Sequence, residues 1–168
     1  MTTNDNELSR STAALATDIV PTQLIFLARS VAVAHQLQPS LVCAIIEQES
    51  AWNTWAVRYE PSFLSRYVAP LYTAGKFSAT EAYTRSMSWG LMQVMGQVAR
   101  EFGFAACSLA QLCDPKDGLE IGCRVFAARW KRAAGKANQA LLAWNGGANP
   151  NYAVQVLART CNYSSKST

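Results

Sequence analysis

One short stretch, Pro39–Asn53, reading PSLVCAIIEQESAWN, limits this chain more than any other. Leu41, Val42, Ile45 and Ile46 recur at the spacing of one helical face, and Glu49, four residues beyond Ile45, falls on that face too. A helix that buries this stripe must carry a carboxylate inward. Burial disfavours the anion, and so does the negative end of the helix dipole at the last turn, so both raise the expected pKa of Glu49. A carboxyl kept protonated near neutrality is what general acid catalysis requires. Glu47, two positions earlier, points away from the stripe and reads as solvated. The expectation is a fold that shapes a groove around Glu49.

The other segments supply helices to pack against it. Leu24, Leu27, Ala28, Val31 and Ala34 mark a helix entered at Pro21, with His35 near its end as a surface or cap residue. Ser78 followed by Glu81 is a capping-box signature and predicts a short helix from about Ala79 to Arg85. Leu91, Val94 or Met95, Val98 and Phe102 keep helical spacing, which predicts a helix over Gly90–Phe102 ended by Gly103. Asp114 and Pro115 start the longest helix, reaching about Ala134, whose inner face is Leu119, Cys123, Phe126 and Trp130. Arg129, Lys131, Arg132 and Lys136 gather at its end, where cations commonly solvate and stabilise a helix C-terminus. Two more helices, Ala137–Trp144 and Pro150–Cys161, flank Gly146 and Gly147. Strand alternation is absent throughout, so the expected class is all-α or nearly so. The irregular segment Arg58–Arg85 reads as a wall of the groove. Residues 1–20 read as a flexible N-terminal arm and 21–168 as the domain.

A chain of 168 residues is long enough to bury a proper core without disulfide staples. Apolar runs fall far short of the ~18 residues that a membrane span needs, so no membrane insertion is expected. Five cysteines without a CxxC pair and a single histidine predict free, mostly buried thiols and no metal site. The net charge of +4 permits an anionic partner such as an acidic wall polysaccharide. The basic residues are scattered and no recognition motif is present, which argues against nucleic acid.

Three blocks sit where helices meet loops: Glu49-Ser50 with Trp52 and Asn53, then Ser88-Trp89-Gly90-Leu91-Met92-Gln93, then Ala143-Trp144-Asn145-Gly146-Gly147. Trp52, Trp55, Trp89 and Trp144 lie in or beside them. Indole faces stack on the apolar faces of sugars, and Gln and Asn amides hold hydroxyl or acetamido groups. Together, beside an acid on an apolar face, the blocks predict a carbohydrate groove.

In these blocks the chain resembles the soluble lytic transglycosylase catalytic domain, a lysozyme-like family related to goose-type lysozymes, over about Leu24 to Val156. The Glu-Ser block corresponds to Glu49-Ser50, the Gly-Leu-Met-Gln block is intact at Gly90–Gln93, and the Ala-Tyr-Asn block appears as Ala143-Trp144-Asn145. Tyr152 stands where the family places a tyrosine after its third block. Trp144 replaces the family's tyrosine, so no phenolic hydrogen bond to the acid carries over at that position. The resemblance implies a helical bundle around a saccharide groove and cleavage of the bond between N-acetylmuramic acid and N-acetylglucosamine, with Glu49 as acid and then base. The product would be a 1,6-anhydro sugar. It implies substrate contacts at Ser50, Met92, Gln93, Trp144, Asn145 and Tyr152, with no metal or other cofactor. Most glycosidases use two carboxylates, but substrate-assisted enzymes need only one. The implied partner is the peptidoglycan glycan strand, met by a monomer. With no export signal at the start of the sequence, the chain looks most like phage-encoded members, made in a host cytoplasm and delivered to the wall by a holin or a virion. Two alternatives stand beside this: a hydrolytic goose-type muramidase, with Glu60 as second acid unless Arg58 merely pairs with it, and a non-catalytic wall-binding virion protein.

Overall fold

In the computed structural model, which describes residues 22–164, the chain enters through helix α1 over residues 22–34. Ala28 and Ala32 on its inner face are fully buried, and small side chains there let α1 lie close to the core. The arm expected over residues 1–20 lies outside the described residues. Helix α2 (Pro39–Ser50) follows, with Pro39 in its first turn, where a missing N–H costs nothing. From Ser40 to Ile46 every residue is buried. The sequence suggested one apolar face, but α2 is covered on all sides and is the central helix of the domain. Leu41, Ile45 and Ile46 are each at most 2% exposed, and each such burial contributes roughly 1.5–3 kcal/mol.

Beyond α2 the chain forms strand β1 (Val57–Tyr59). A continuous helical stretch comes next: α3 (Pro61–Phe63), a wider π-turn (Leu64–Val68) in which the Ala69 N–H reaches Leu64 O, and α4 (Ala69–Thr73). Pro70 has no N–H to close an ordinary turn onto Arg66 O, and the wider register lies just ahead of it. Helix α5 (Ala79–Arg85) begins as its capping signature predicts, Ser78 Oγ accepting from the Glu81 N–H at 3.2 Å. The Glu81 side chain does not turn back to the cap. It instead accepts from Arg85 and Arg100, which pins α5 to α6 (Gly96–Glu101).

Strands β2 (Met87–Trp89) and β3 (Val94–Met95) complete a small antiparallel sheet in the order β1-β2-β3, with Val57 opposite Trp89 and Trp89 opposite Val94. The helix expected over Gly90–Phe102 begins only at Gly96, because Gly90 (φ +66°) and Gln93 (φ +49°) are left-handed and close a hairpin loop. A 3₁₀ turn (Leu109–Cys113) leads to α7 (Pro115–Arg132), capped by Asp114 Oδ1 on the N–H groups of Lys116 and Asp117. Leu119, Cys123 and Phe126 on α7 are fully buried, as their spacing predicts. Then come α8 (Ala137–Trp144), α9 (Tyr152–Arg159) and a closing 3₁₀ turn (Thr160–Tyr163). Helix α9 and this turn pack on α2, and both Trp52 Nε1 and Arg29 donate to Tyr163. The domain is thus mostly helical with a three-strand sheet at one side.

His35 bonds Glu120 at 3.0 Å and ties the end of α1 to α7, away from the residues that line the cleft described below. Cys43, Cys113 and Cys123 are buried and Cys107 and Cys161 exposed, all as free thiols. Burial pushes the Cys43 thiol up to about 11, so it is not a nucleophile near neutrality.

Candidate active site

Glu49 occupies the last turn of α2, where the helix stops abruptly. Ala51 (φ +47°) and Trp52 (φ +66°) are both left-handed, an arrangement that costs roughly 1–2 kcal/mol per residue, so tertiary packing must hold it. The stop leaves the Glu49 side chain at the edge of the core with one flank on a cleft. Two donors meet its Oε1: the Tyr152 hydroxyl at 2.6 Å from the first turn of α9, and the Trp144 indole N–H at 3.0 Å from the end of α8. An oxygen that accepts two hydrogen bonds has used both lone pairs, so in the neutral acid the proton resides on Oε2. Among the described residues Oε2 has no hydrogen-bond partner. Burial pushes the Glu49 carboxyl above the usual carboxylate range, and the two donors and the Arg58 charge pull it back only in part. The indole therefore supplies the donor that the change from tyrosine to Trp144 had put in question.

The Gly90–Gln93 block is the loop between β2 and β3, and its apolar pair points inward. Leu91 and Met92 are each 1% exposed. Met92 rests on Gly122 of α7, where an added Cβ would lie 2.4 Å from its Sδ, so α7 needs glycine there. Met92 is thus a core residue beneath the site and does not line the cleft, contrary to the sugar contact expected of it. Ser50 is also turned inward: its hydroxyl lies 2.9 Å from Leu91 O and 3.2 Å from Ile46 O, fastening α2 to the loop. Gln93 lines the cleft, but its amide is spent on the protein. Nε2 donates to Ala56 O and Gly90 O, both at 2.9 Å, and Oε1 accepts from Ser88 Oγ at 2.8 Å. A buttress for the loop is its role here, since both amide hydrogens are committed.

Asn145 differs. Its Oδ1 accepts from Asn149 N at 2.7 Å, while Nδ2 has no acceptor among the described residues and the residue lines the cleft. Tyr152 is 3% exposed and reaches only the acid, so it is a partner of Glu49 and not a contact for sugar.

The cleft encloses about 430 Å³. Its aromatic lining corrects the expectation based on tryptophan. Trp89 is 7% exposed with its N–H on Thr84 O, Trp52 is locked to Tyr163, and Trp55 is 77% exposed outside this cleft. Phe63 and Tyr67 from the irregular segment line it instead, together with Trp144, which packs edge-on against Phe126. The expectation that Arg58–Arg85 walls the groove holds for its first part. Glu60 also lines the cleft, bonded to Arg58 at 2.5 Å. Arg129, read from the sequence as part of a solvated helix end, is half-buried on the cleft wall, while Lys131, Arg132 and Lys136 are exposed. Its place four residues after the buried Val125 was the available signal. Phe63, Arg66 and Tyr67 left none of their own, because Phe63 ends a single short helical turn, Arg66 and Tyr67 lie in the π-turn, and neither turn has a sequence period.

A family model described as the transglycosylase SLT domain matches residues 26–160. The chain belongs to that family. No curated protein and no solved structure matches it significantly. The chain is therefore a lytic transglycosylase domain of lysozyme-like, mostly helical fold, acting on peptidoglycan. Among the described residues no helix of this transglycosylase is long and apolar enough to cross a membrane.

Proposed function

We propose that this transglycosylase cleaves the β-1,4 bond between N-acetylmuramic acid and N-acetylglucosamine and leaves a 1,6-anhydromuramoyl end, with Glu49 as its one acid and base. The observation that carries this reading is the pair of donors on Glu49 Oε1, which leaves the acidic proton on Oε2 beside the cleft. In the first step that proton passes to the glycosidic oxygen, the bond from C1 breaks, and the leaving sugar departs with its hydroxyl. The muramoyl 2-acetamido oxygen, oriented by Asn145 Nδ2, bonds to C1 and takes up the positive charge. Ionised Glu49 is then held by Trp144 and Tyr152, whose hydrogen bonds strengthen as the carboxylate forms. In the second step Glu49 removes the C6 hydroxyl proton, O6 bonds to C1, and the acetamido oxygen is released. The acid is regenerated and no water is consumed. Glu60 stays tied to Arg58, which favours this course over water activation by a second carboxylate.

The test is Glu49→Gln on purified peptidoglycan with mass spectrometry of the products. The amide oxygen can accept the same two hydrogen bonds, so the fold should persist, while anhydro ends should fall by at least ~10²–10⁴-fold. Reducing ends from the wild-type protein would replace this proposal with a hydrolase. Wall binding without cleavage would replace it with a binding protein.

A further inference from the structure

Three arginines line the cleft, and two have no carboxylate to answer them. Arg58 is taken by Glu60, whereas among the described residues neither Arg66 nor Arg129 forms an ion pair. Glu49, the other acid on the cleft, must be neutral to act first. The cleft is therefore left with excess positive charge.

Arg129 is the more informative of the two. It sits on the last turn of α7, half-buried, with its guanidinium 5.7 Å from the centroid of the Trp144 ring. Nη1 donates to Ala143 O at 2.6 Å, Nε is buried without an acceptor, and Nη2 has no protein acceptor among the described residues. A partly desolvated cation with unspent donors is unfavourable until an anion completes it. Burial and the neighbouring Arg132 charge hold this guanidinium below the usual arginine range, which records the same lack. Arg66 lies over Tyr67 at 5.4 Å on another part of the wall.

We propose that Arg129, assisted by Arg66, forms a subsite for a carboxylate carried on the 3-O substituent of the muramoyl sugar. This rests on the peptidoglycan reading above and adds what the site selects within that substrate. The rings of a wall glycan are uncharged, so an anion in the cleft must come from what the muramoyl ring bears. It is the lactyl carboxylate itself on strands without peptides, or a carboxylate of the stem peptide on strands that keep them. The planar guanidinium fork matches a carboxylate in either case, in a way that the exposed Lys131 and Lys136 near the helix end do not.

The experiment compares charged and neutral versions of one ligand. Glycan strands stripped of peptide are used as such or after carbodiimide coupling of their lactyl groups to methylamine, and their binding to the Glu49→Gln protein is measured by titration calorimetry. Stem-bearing strands, before and after the same coupling, form the second arm. Neutralisation should weaken binding roughly tenfold or more in at least one arm, and the arm that responds identifies the source of the carboxylate. The charged-to-neutral ratio should fall close to one when Arg129→Gln is added, fall partly with Arg66→Gln, and be partly restored by Arg129→Lys. Because the ratio is taken within each protein, a general loss of stability in a variant cancels. Equal binding of charged and neutral strands in both arms overturns the subsite, as does an undiminished ratio in the Arg129→Gln protein. The ratio is read without turnover, so it stands apart from the product analysis that decides the reaction.

Discussion

Tyr152→Phe removes one hydroxyl and nothing else from a side chain that is 3% exposed, and the lost bond is the 2.6 Å contact to Glu49 Oε1. A hydrogen bond to an ionised carboxylate contributes about 1.5–3 kcal/mol, and one to a neutral carboxyl about 0.5–1.5 kcal/mol. The substitution therefore harms the anion by about 1 kcal/mol more than the acid, and a step that generates the carboxylate should slow about fivefold. Stability should respond to pH in a defined direction. The folded-state pKa of Glu49 is raised, so its contribution is fully present below the unfolded value of ~4.3 and is lost as pH rises through the folded value. Without the tyrosine donor the folded value rises further, and the variant loses more over the same interval. Urea denaturation between about pH 4 and about pH 8 should show a deficit near 1 kcal/mol in acid that widens to about 2 kcal/mol above the Glu49 titration. The alkaline limb of the pH–rate profile should move to higher pH. A deficit that stays flat with pH, together with an unmoved limb, would refute the placement of this hydroxyl on the acid.

Gly90→Ala forces a side chain into a left-handed position and sets its Cβ 2.3 Å from Leu112 O, so thermal melts should show a loss of about 3 kcal/mol or more. Gln93→Glu replaces the two N–H donors to Ala56 O and Gly90 O with oxygens that cannot donate; chemical denaturation should report a loss of about 2–4 kcal/mol. Glu81 should give a pH response opposite to that of Glu49. Burial pushes its carboxyl up, but hydrogen bonds and charges from Arg100 and Arg85 outweigh that and hold it below the usual range. Its contribution is present above ~4.3 and lost as pH falls through the folded value, so the deficit of Glu81→Gln should be large at neutral pH and close in acid.

How far the sequence could be read follows from the range of the forces involved. Where a helix depends on its own period and caps, as at Ser78–Arg85, Asp114–Arg132 and Ala137–Trp144, the bounds could be read almost to the residue. The three strands are two or three residues long, too short for alternation to register, and their hydrogen bonds join Val57 to residues some thirty positions away. Gly90–Phe102 misled for the same reason: Leu91, Val94 or Met95, Val98 and Phe102 keep helical spacing, yet long-range contacts of Leu91 to Ser50 and of Met92 to Gly122 hold the first part of this stretch as a hairpin loop.

Sequence alone determined that one carboxylate would end the apolar stripe of α2 and be pushed toward its neutral form, because period and burial are properties of a single helix. Only the tertiary structure decided which groups meet that carboxylate. Trp144 and Tyr152 come from two other helices to one oxygen, Gln93 and Ser50 turn from ligand to scaffold, and Phe63, Tyr67 and Arg129 line the cleft. Side-chain hydrogen bonds act over about 3 Å, and residues a hundred positions apart reach that distance only after the helices have packed.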